Sequence, residues 1–456
     1  MRGDNASRSV GVRQGRPDPP PDVLRAPTTS RSVAAALEPL VRQLLGGRVP
    51  LRFEFWDGSA IEPDNGASVG AGTVRLRSPD VLRRLLWAPG ELGLARSFVA
   101  GELEFDGDIF MAIRVLHKAA PGDLLRIGTR AFPAALSAAR ELGAVGAPLP
   151  PPAEEAHPAG RRHSTRRDAQ AVSHHYDVGN EFYELILGPS MTYSCARFLD
   201  ESTSLLDAQH AKHELVSRKL GLDHKPGARL LDIGCGWGSM ALHAASHHDA
   251  SVVAITLSAA QADYARERVG RAGLSEQIEV RLQDYRALRY EQFDAISSIG
   301  MFEHVGSSQM ASYFERLHQL LVPTGRLLNH AISTPGGTRI GRHSFIGRYV
   351  FPDGELIDVG EIVLAMQRAG FEVRDVESLR EHYSRTLRAW VANLEAHWSE
   401  VVALVGPGRA RVWRLYMAAS ASGFDDGGLG VHQVLGVVPS ADGLSGMAAT
   451  RHDWEG

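Results

Sequence analysis

The sequence predicts an α/β protein: a doubly wound, mostly parallel sheet in the C-terminal part and a smaller α+β domain in the N-terminal part. Three observations carry this. After residue 228, short β-rich apolar runs alternate with stretches of helical spacing, the pattern of consecutive βαβ units. The first of these runs, LLDIGCGWGS (230–239), passes from a buried strand into a turn with glycines at 234, 236 and 238, and open parallel sheets bind ligands beyond such strand ends. A Pro- and Arg-rich stretch, residues 143–169, separates this half from the first, and its composition is that of a linker.

Taken in order, residues 1–32 are rich in Pro, Ser, Arg and Gly without periodicity and predict a disordered tail, because they bury too little apolar area to offset ordering entropy. The N-terminal domain spans 33–142. Its apolar spacing is helical from Val33 to Leu45, LRFEFWDGS (51–59) alternates like a strand ending in an Asp-Gly turn, GTVRLRS (72–78) is a second strand, and a helix follows from Pro79 to Trp87. After the linker, the catalytic-size domain spans 170–440. Its strands are predicted at 228–234, 251–258, 277–285, 293–300 and 325–333, with a helix from Ala259 to Ala272 among the intervening segments. Residues 441–456 form a C-terminal tail.

Composition excludes several classes. A chain of 456 residues with 44% hydrophobic and 22% charged residues fits a soluble globular protein of two or three domains, and not wholesale disorder, a collagen-like fibre or a coiled coil. Two cysteines, Cys195 and Cys235, cannot form a disulfide framework and argue for a reducing compartment. The N-terminus has no apolar signal core, and no segment approaches ~18 uninterrupted apolar residues, so a cytoplasmic location is expected. With 49 Lys+Arg against 53 Asp+Glu the net charge is −4; no global basic field favours nucleic acid.

The glycine turn reads GxGxG, one residue shorter than the GxGxxG of dinucleotide sites, which argues against NAD. With Asp232 before the loop and Asp284 in QDYR at a later strand end, the layout resembles the class I S-adenosylmethionine (SAM) methyltransferases. One departure is visible. The second strand, SVVAITLSAAQ, lacks the acidic residue that usually binds the ribose and offers Thr256, Ser258 and Gln261 instead.

Further stretches, SHHYDVGNEFYELILGPSMTYSCARF (173–198), MFEHVG (301–306), RYVFPDGEL (348–356), EHYSRTLRAW (381–390) and RVWRLYMAAS (411–420), together with the glycine loop and ITLSAAQ, resemble the cyclopropane-fatty-acyl-phospholipid synthase family over roughly 170–435. The N-terminal domain resembles that of the longer, phospholipid-acting members. GVHQVLGV (430–437), where common synthases carry a Trp two residues before the final Val pair, resembles the tuberculostearic-acid branch, which makes 10-methylene, later 10-methyl, stearoyl chains from oleoyl phospholipid.

The resemblance implies a chemistry and a site. SAM would bind at Tyr193, Ser194, Asp232, Gly234, Cys235, Gly236, Trp237, Gly238, Thr256, Ser258, Gln261, Asp284 and Tyr285, with the helix after Asp177 covering it. The alkene of the acyl chain attacks the sulfonium methyl and leaves a carbocation; a base then removes a proton, giving a cyclopropane directly or an exocyclic methylene after a hydride shift. The family's base is a bound bicarbonate, whose positions here correspond to Cys195, Glu303, His330, Tyr383 and the backbone at Ile332. A Tyr hydroxyl and a His N–H can donate to the anion, and Glu303 can orient it or take the proton. Tyr193 or Phe302 could stabilise the cation through its ring face.

Each residue also has a plain structural reading. Glu303 and His304 could cap a turn, His330 could be a satisfied core histidine, Cys195 a small buried hydrophobe and each aromatic simple core; only their joint occurrence favours a site. Ser420 stands where many synthases carry a Cys, so a cysteine nucleophile is unavailable there and direct transfer to carbon is expected. The expected partners are a phospholipid membrane surface at the inner face of the cell membrane, met through RRHSTRR (161–167) or through Trp56 and Trp87, and a separate reductase for a methylene product; a homodimer is compatible. The enzymatic alternative is cyclopropane closure, and the alternative of another class is a lipid-binding protein that retains the scaffold without activity.

Overall fold

The structure, a computed structural model, describes residues 31–64, 72–119, 124–156, 178–289, 291–341, 344–351 and 354–455. The expected N-terminal tail lies outside these except for its last two residues, and so do RRHSTRR and residues 173–177. Ser32 caps the first helix, Val33–Leu44, accepting from the Ala35 N–H, a role that Ser fills because its oxygen satisfies an orphan amide.

The N-terminal region folds around a four-stranded sheet of β1 (Arg52–Phe55), β2 (Ala60–Ile61), β3 (Thr73–Leu76) and β4 (Leu103–Asp106) in the order β2-β1-β3-β4. In β1 the alternation predicted from sequence buries Phe53 and Phe55 on one face. The Asp-Gly turn follows: Gly58 takes φ 80°, and Asp57 accepts from the Val33 amide at 2.9 Å, tying the hairpin to the first helix. Trp56 packs half-buried on this core, whereas Trp87 is 59% exposed and donates its indole N–H to the Gly146 carbonyl at 2.9 Å.

The larger region is built on a seven-stranded sheet of β5 (Arg229–Ile233), β6 (Ser251–Thr256), β7 (Ile278–Leu282), β8 (Phe293–Ile299), β9 (Leu321–Ser333), β12 (Glu372–Ser378) and β13 (Gly430–Val437), in the order β12-β13-β9-β8-β5-β6-β7. A separate pair, β10 (Thr338–Arg339) and β11 (Glu355–Leu356), forms a short ribbon. Pairing is parallel from β9 through β7, and β13 is antiparallel to both its neighbours. Strand order reverses between β5 and β8, so a crevice opens at the carboxyl end of β5. The period of two divides the sheet into two cores. Leu230, Val252, Ala295 and Leu328 pack with helices Leu205–Leu220 and Ser239–His248, and Leu231, Val253, Ile296 and Leu327 pack with helices Met310–Gln319 and Val359–Arg368. Strands β12 and β13 carry little strand signal in the sequence. The edge strand β12 (EVRDVES) is polar and half-exposed, and β13 carries a glycine at each end of its pattern, so neither shows a clean apolar run.

A third core, largely helical, covers the crevice. Helices Asn180–Leu187, Arg380–Ala396 and Trp398–Asp425 contribute Phe182, Tyr183, Trp390, Trp413 and Phe424, and helix Glu91–Val99 of the N-terminal region joins through Phe98 and Val99. The stretch read as a linker also contributes a buried anchor. Glu155 is 4% exposed and accepts from both Arg96 Nε and Nη2 at 2.8 Å and from the Tyr349 hydroxyl at 3.2 Å. Burial alone would raise its pKa, but the Arg96 fork outweighs burial and holds Glu155 below the ordinary carboxylate range. The segment read as a C-terminal tail lies against the sheet domain: Trp454 is buried near helix Leu205–Leu220 and Arg451 pairs with Asp375 at 2.6 Å.

Candidate active site

At the end of β5 the chain must turn sharply, and it does so on glycines in the left-handed region: Gly234 at φ 73°, Gly236 at 55° and Gly238 at 82°. A side chain at Gly236 would meet nothing within 4 Å, so the left-handed conformation, and not crowding, calls for glycine there. The Gly234 and Cys235 amides donate to the Ile255 carbonyl of β6 at 2.9 and 3.0 Å, fixing the loop to the neighbouring strand. Helix Ser239–His248 then starts from Gly238.

A cavity lies over this loop, and the structure gathers there most of the residues expected to hold SAM: Tyr193, Ser194, Asp232, Gly234, Cys235, Gly236, Trp237, Thr256, Gln261, Asp284 and Tyr285 all line it. Gly238 and Ser258 do not line it. Each instead begins a helix, Ser258 accepting from the Gln261 amide at 3.3 Å. Asp232 accepts from Ser297 Oγ at 2.7 Å, its other oxygen is buried without a partner among the described residues, and burial pushes its pKa up to about 6. Asp284 is occupied differently: it caps the turn Tyr285–Ala287 and is gripped by the Arg286 guanidinium at 2.7 Å. At the end of β6, Thr256 Oγ1 donates to Gln261 Oε1 at 2.9 Å, so a hydroxyl–amide pair stands where an acid is usual.

The cavity wall also contains residues that sequence reasoning missed. Lys212 is fully buried, donates to Ser194 Oγ at 3.1 Å and is lowered to about 7 by burial. Next to it, His213 lies 3.1 Å from Thr192 Oγ1, and Met301 and His304 also line the cavity. A signal existed for Lys212: in AQHAKHELV it falls on the stripe of Ala208, Leu215 and Val216, which is the buried face of its helix.

Above the cavity the lid is aromatic. Tyr183 and Trp237 have ring centroids 4.5 Å apart, the Trp237 indole donates to Asn180 Oδ1 at 2.8 Å, and Tyr193 stacks on Trp390 at 5.2 Å while its hydroxyl donates to that of Tyr416 at 3.3 Å. Phe302 does not join this wall. It packs on Phe314 at 5.4 Å on the other face of the sheet, which removes it as an aromatic face for a cation.

The residues expected to surround the anion fall into two groups. Cys195, Tyr383 and Ile332 share the lid core. Cys195 Sγ faces the Ala196 carbonyl at 3.2 Å, and burial raises its pKa and keeps it a thiol. Tyr383 sits in the first turns of helix Arg380–Ala396, its ring 4.7 Å from Phe424. The second group is polar. Glu303, in the short turn Phe302–His304 after β8, accepts the Ile332 N–H at 2.7 Å through Oε1, and its Oε2 is buried without a partner among the described residues. Burial drives Glu303 up to about 7 although the Ile332 bond opposes it. Glu303 thus takes the amide of Ile332, one of the backbone groups at the position that the resemblance assigns to the anion.

His330, on the same face of β9 as Ile332, is oriented by a chain that was not foreseen. Lys219 Nζ donates to Gln433 Oε1 at 3.0 Å, and the Gln433 amide lies 3.4 Å from His330 Nδ1. Because Lys219 fixes Oε1 as the acceptor, Gln433 presents its NH2 to Nδ1, which places the imidazole proton on Nε2. That atom is buried and without a partner among the described residues. Burial, together with the charges of Lys212 and Lys219, lowers His330 to about 3, so it is a neutral donor.

The family described as mycolic acid cyclopropane synthetase matches residues 163–434. The chain belongs to that family. Its members are SAM-dependent methyltransferases that modify fatty acids, and this member carries the class I methyltransferase fold. It is 43% identical over 404 residues to the probable fatty acid methyltransferase Rv3720 of Mycobacterium tuberculosis, covering 85% of this chain and 91% of that one. The tuberculostearic acid methyltransferase UfaA1 of the same organism is 32% identical over 424 residues, with 90% and 92% covered. The cyclopropane-fatty-acyl-phospholipid synthase of Escherichia coli K12 is 35% identical over 360 residues, with 77% and 84% covered. Among solved structures, mycolic acid cyclopropane synthase CmaA1 complexed with SAH and CTAB superposes with a TM-score of 0.55 at 33% identity, over 59% of this chain and 98% of that one. For this synthetase-family chain, no helix among the described residues is long and apolar enough to cross a membrane.

Proposed function

We propose that the protein adds a one-carbon unit from SAM to the cis double bond of a phospholipid-bound, oleoyl-type acyl chain and releases a 10-methylene branched chain. The observation that carries this reading is Glu303. A buried carboxyl with a pKa near 7 and an unpartnered oxygen is suited to taking a proton, and an alkene alkylation cannot finish without losing one.

The residues present fit the cofactor. The Gly236 turn leaves space at the loop, Asp232 keeps a buried acceptor oxygen for a cationic ligand end, and the Thr256–Gln261 pair offers polar atoms at the β6 turn. When bound, SAM supplies a methyl group made electrophilic by the sulfonium. The chain's own residues exclude water with the Tyr183–Trp237 and Tyr193–Trp390 wall, so that the acyl chain meets the methyl in dry surroundings. For a bound bicarbonate, the neutral His330 Nε2–H offers a donor and Glu303 Oε2, near its pKa at neutral pH, a donor or acceptor; such an anion would supply a second acceptor for the proton. Likeness to UfaA1 along 90% of this chain supports the methylene product, and likeness to the E. coli synthase keeps cyclopropane closure as the other reading. In the proposed setting the enzyme works from the cytoplasm on the inner membrane surface, and a separate reductase saturates the methylene.

The test is gas chromatography–mass spectrometry of phospholipid fatty acids from oleate-fed cells expressing the protein. A 10-methylene stearate peak is the expected result. A cyclopropane peak transfers the protein to the synthase reading, and an untouched oleoyl pool overturns both.

A further inference from the structure

A cluster of titratable groups lies on the far side of the cofactor cavity wall and is not used by the chemistry above. Helix Leu205–Leu220 supplies Glu214 and helix Ser239–His248 supplies His243 and His248. Glu214 Oε2 is 3.2 Å from His243 Nε2 and 3.0 Å from His248 Nε2, and the three atoms all lie within 4.8 Å of one another. We propose that Glu214, His243 and His248 form a binding site for a divalent cation of the zinc class, which clips these two helices together.

The donor set is the first argument. Two imidazole nitrogens and one carboxylate oxygen are typical ligands of borderline cations such as zinc. Ligand atoms at ~2.1 Å from a tetrahedral ion lie ~3.4 Å apart, so the two carboxylate–imidazole spacings of 3.2 and 3.0 Å need to open by only a few tenths of an ångström. Orientation is the second. Arg218 Nε holds Glu214 Oε1 at 2.8 Å, which leaves Oε2 as the oxygen that faces both rings, and the His243 and His248 side chains are 9% and 6% exposed, so both rings are fixed by packing. Access is the last argument. A surface depression lined by Leu222, Asp223, His247, His248 and Asp249 opens beside the cluster.

The clip would act next to the cofactor. His213 lies one residue before Glu214, its ring centroid 5.7 Å from that of His243, and His213, Ser239 and Met240 of the same two helices line the cavity.

Full-length, tag-free protein stripped with chelator and titrated calorimetrically with zinc chloride tests this. The expected result is one equivalent bound per chain, a raised thermal midpoint that EDTA reverses, and at least a tenfold loss of affinity in Glu214→Gln and in His248→Ala. His117→Ala, an exposed histidine of the N-terminal region, should bind as the parent does. If either variant misfolds by circular dichroism, the cobalt(II) spectrum of the parent decides: tetrahedral or five-coordinate bands without thiolate charge transfer support the site, and a purely aqueous, octahedral spectrum overturns it. Absence of saturable zinc binding in the parent, or parental affinity in folded Glu214→Gln and His248→Ala, also overturns it.

Discussion

Glu303 Oε1 accepts the backbone N–H of Ile332 at 2.7 Å, so one oxygen of the carboxyl is spent on strand β9 while the other stays buried without a partner among the described residues. The bond aims the carboxyl, and the desolvation brings it to about 7. Position and proton affinity of the proposed base therefore have separate structural causes.

Glu303→Gln keeps the shape and the Ile332 bond but removes the basic oxygen. Turnover should fall by about 10²- to 10⁴-fold, the usual share of a general base, while SAM affinity measured by calorimetry stays within about twofold. In the parent, turnover should rise with pH through about 7 as Glu303 loses its proton, and the variant should lose that limb; a parental pH profile in the variant removes Glu303 from the mechanism.

Gly236→Ala places a methyl group on a residue at φ 55° with no atom within 4 Å of it. The strain of a left-handed alanine is about 1 kcal/mol, so urea unfolding should shift slightly. Cofactor affinity should drop by tenfold or more, because the methyl occupies the cavity rather than the core.

Lys212 is depressed to about 7 by burial, and an unfolded lysine titrates near 10.4. Between those values the unfolded chain binds the proton more tightly than the folded one, so this group's penalty is full below about pH 7 and fades as pH rises toward 10. Lys212→Met removes the penalty. Its stability relative to the parent should be greatest at pH 7 and fall by up to ~1.4 kcal/mol per pH unit above that, read by urea unfolding at pH 7 and pH 9.

Glu155→Ala strips Arg96 of its fork and Tyr349 of its acceptor. Loss of one partner of a buried pair costs about 3–5 kcal/mol; with the Arg96 side chain 20% exposed, about 2–3 kcal/mol is expected in urea unfolding. Glu155 is depressed in the fold, so its contribution is complete above the ordinary carboxylate range and is lost as pH falls through its folded value.

Much of the site was legible in the chain before folding. Strand β5, the GCGWG turn and the β6 turn are local: a buried apolar run, glycines that accept positive φ and a Ser helix cap dictate their own geometry from neighbouring residues. The motif positions that line the cavity are therefore mostly those named from sequence. Tertiary structure decided what those residues touch. Nothing local says that the amide of Ile332 is claimed by Glu303, twenty-nine positions away, that Lys219 and Gln433 set the proton on His330, or that Phe302 turns to the opposite core. Hydrogen-bond partners and desolvation depend on which distant segments the sheet order β12-β13-β9-β8-β5 brings side by side, and burial, more than residue type, puts Glu303, Lys212 and Asp232 within reach of neutral pH.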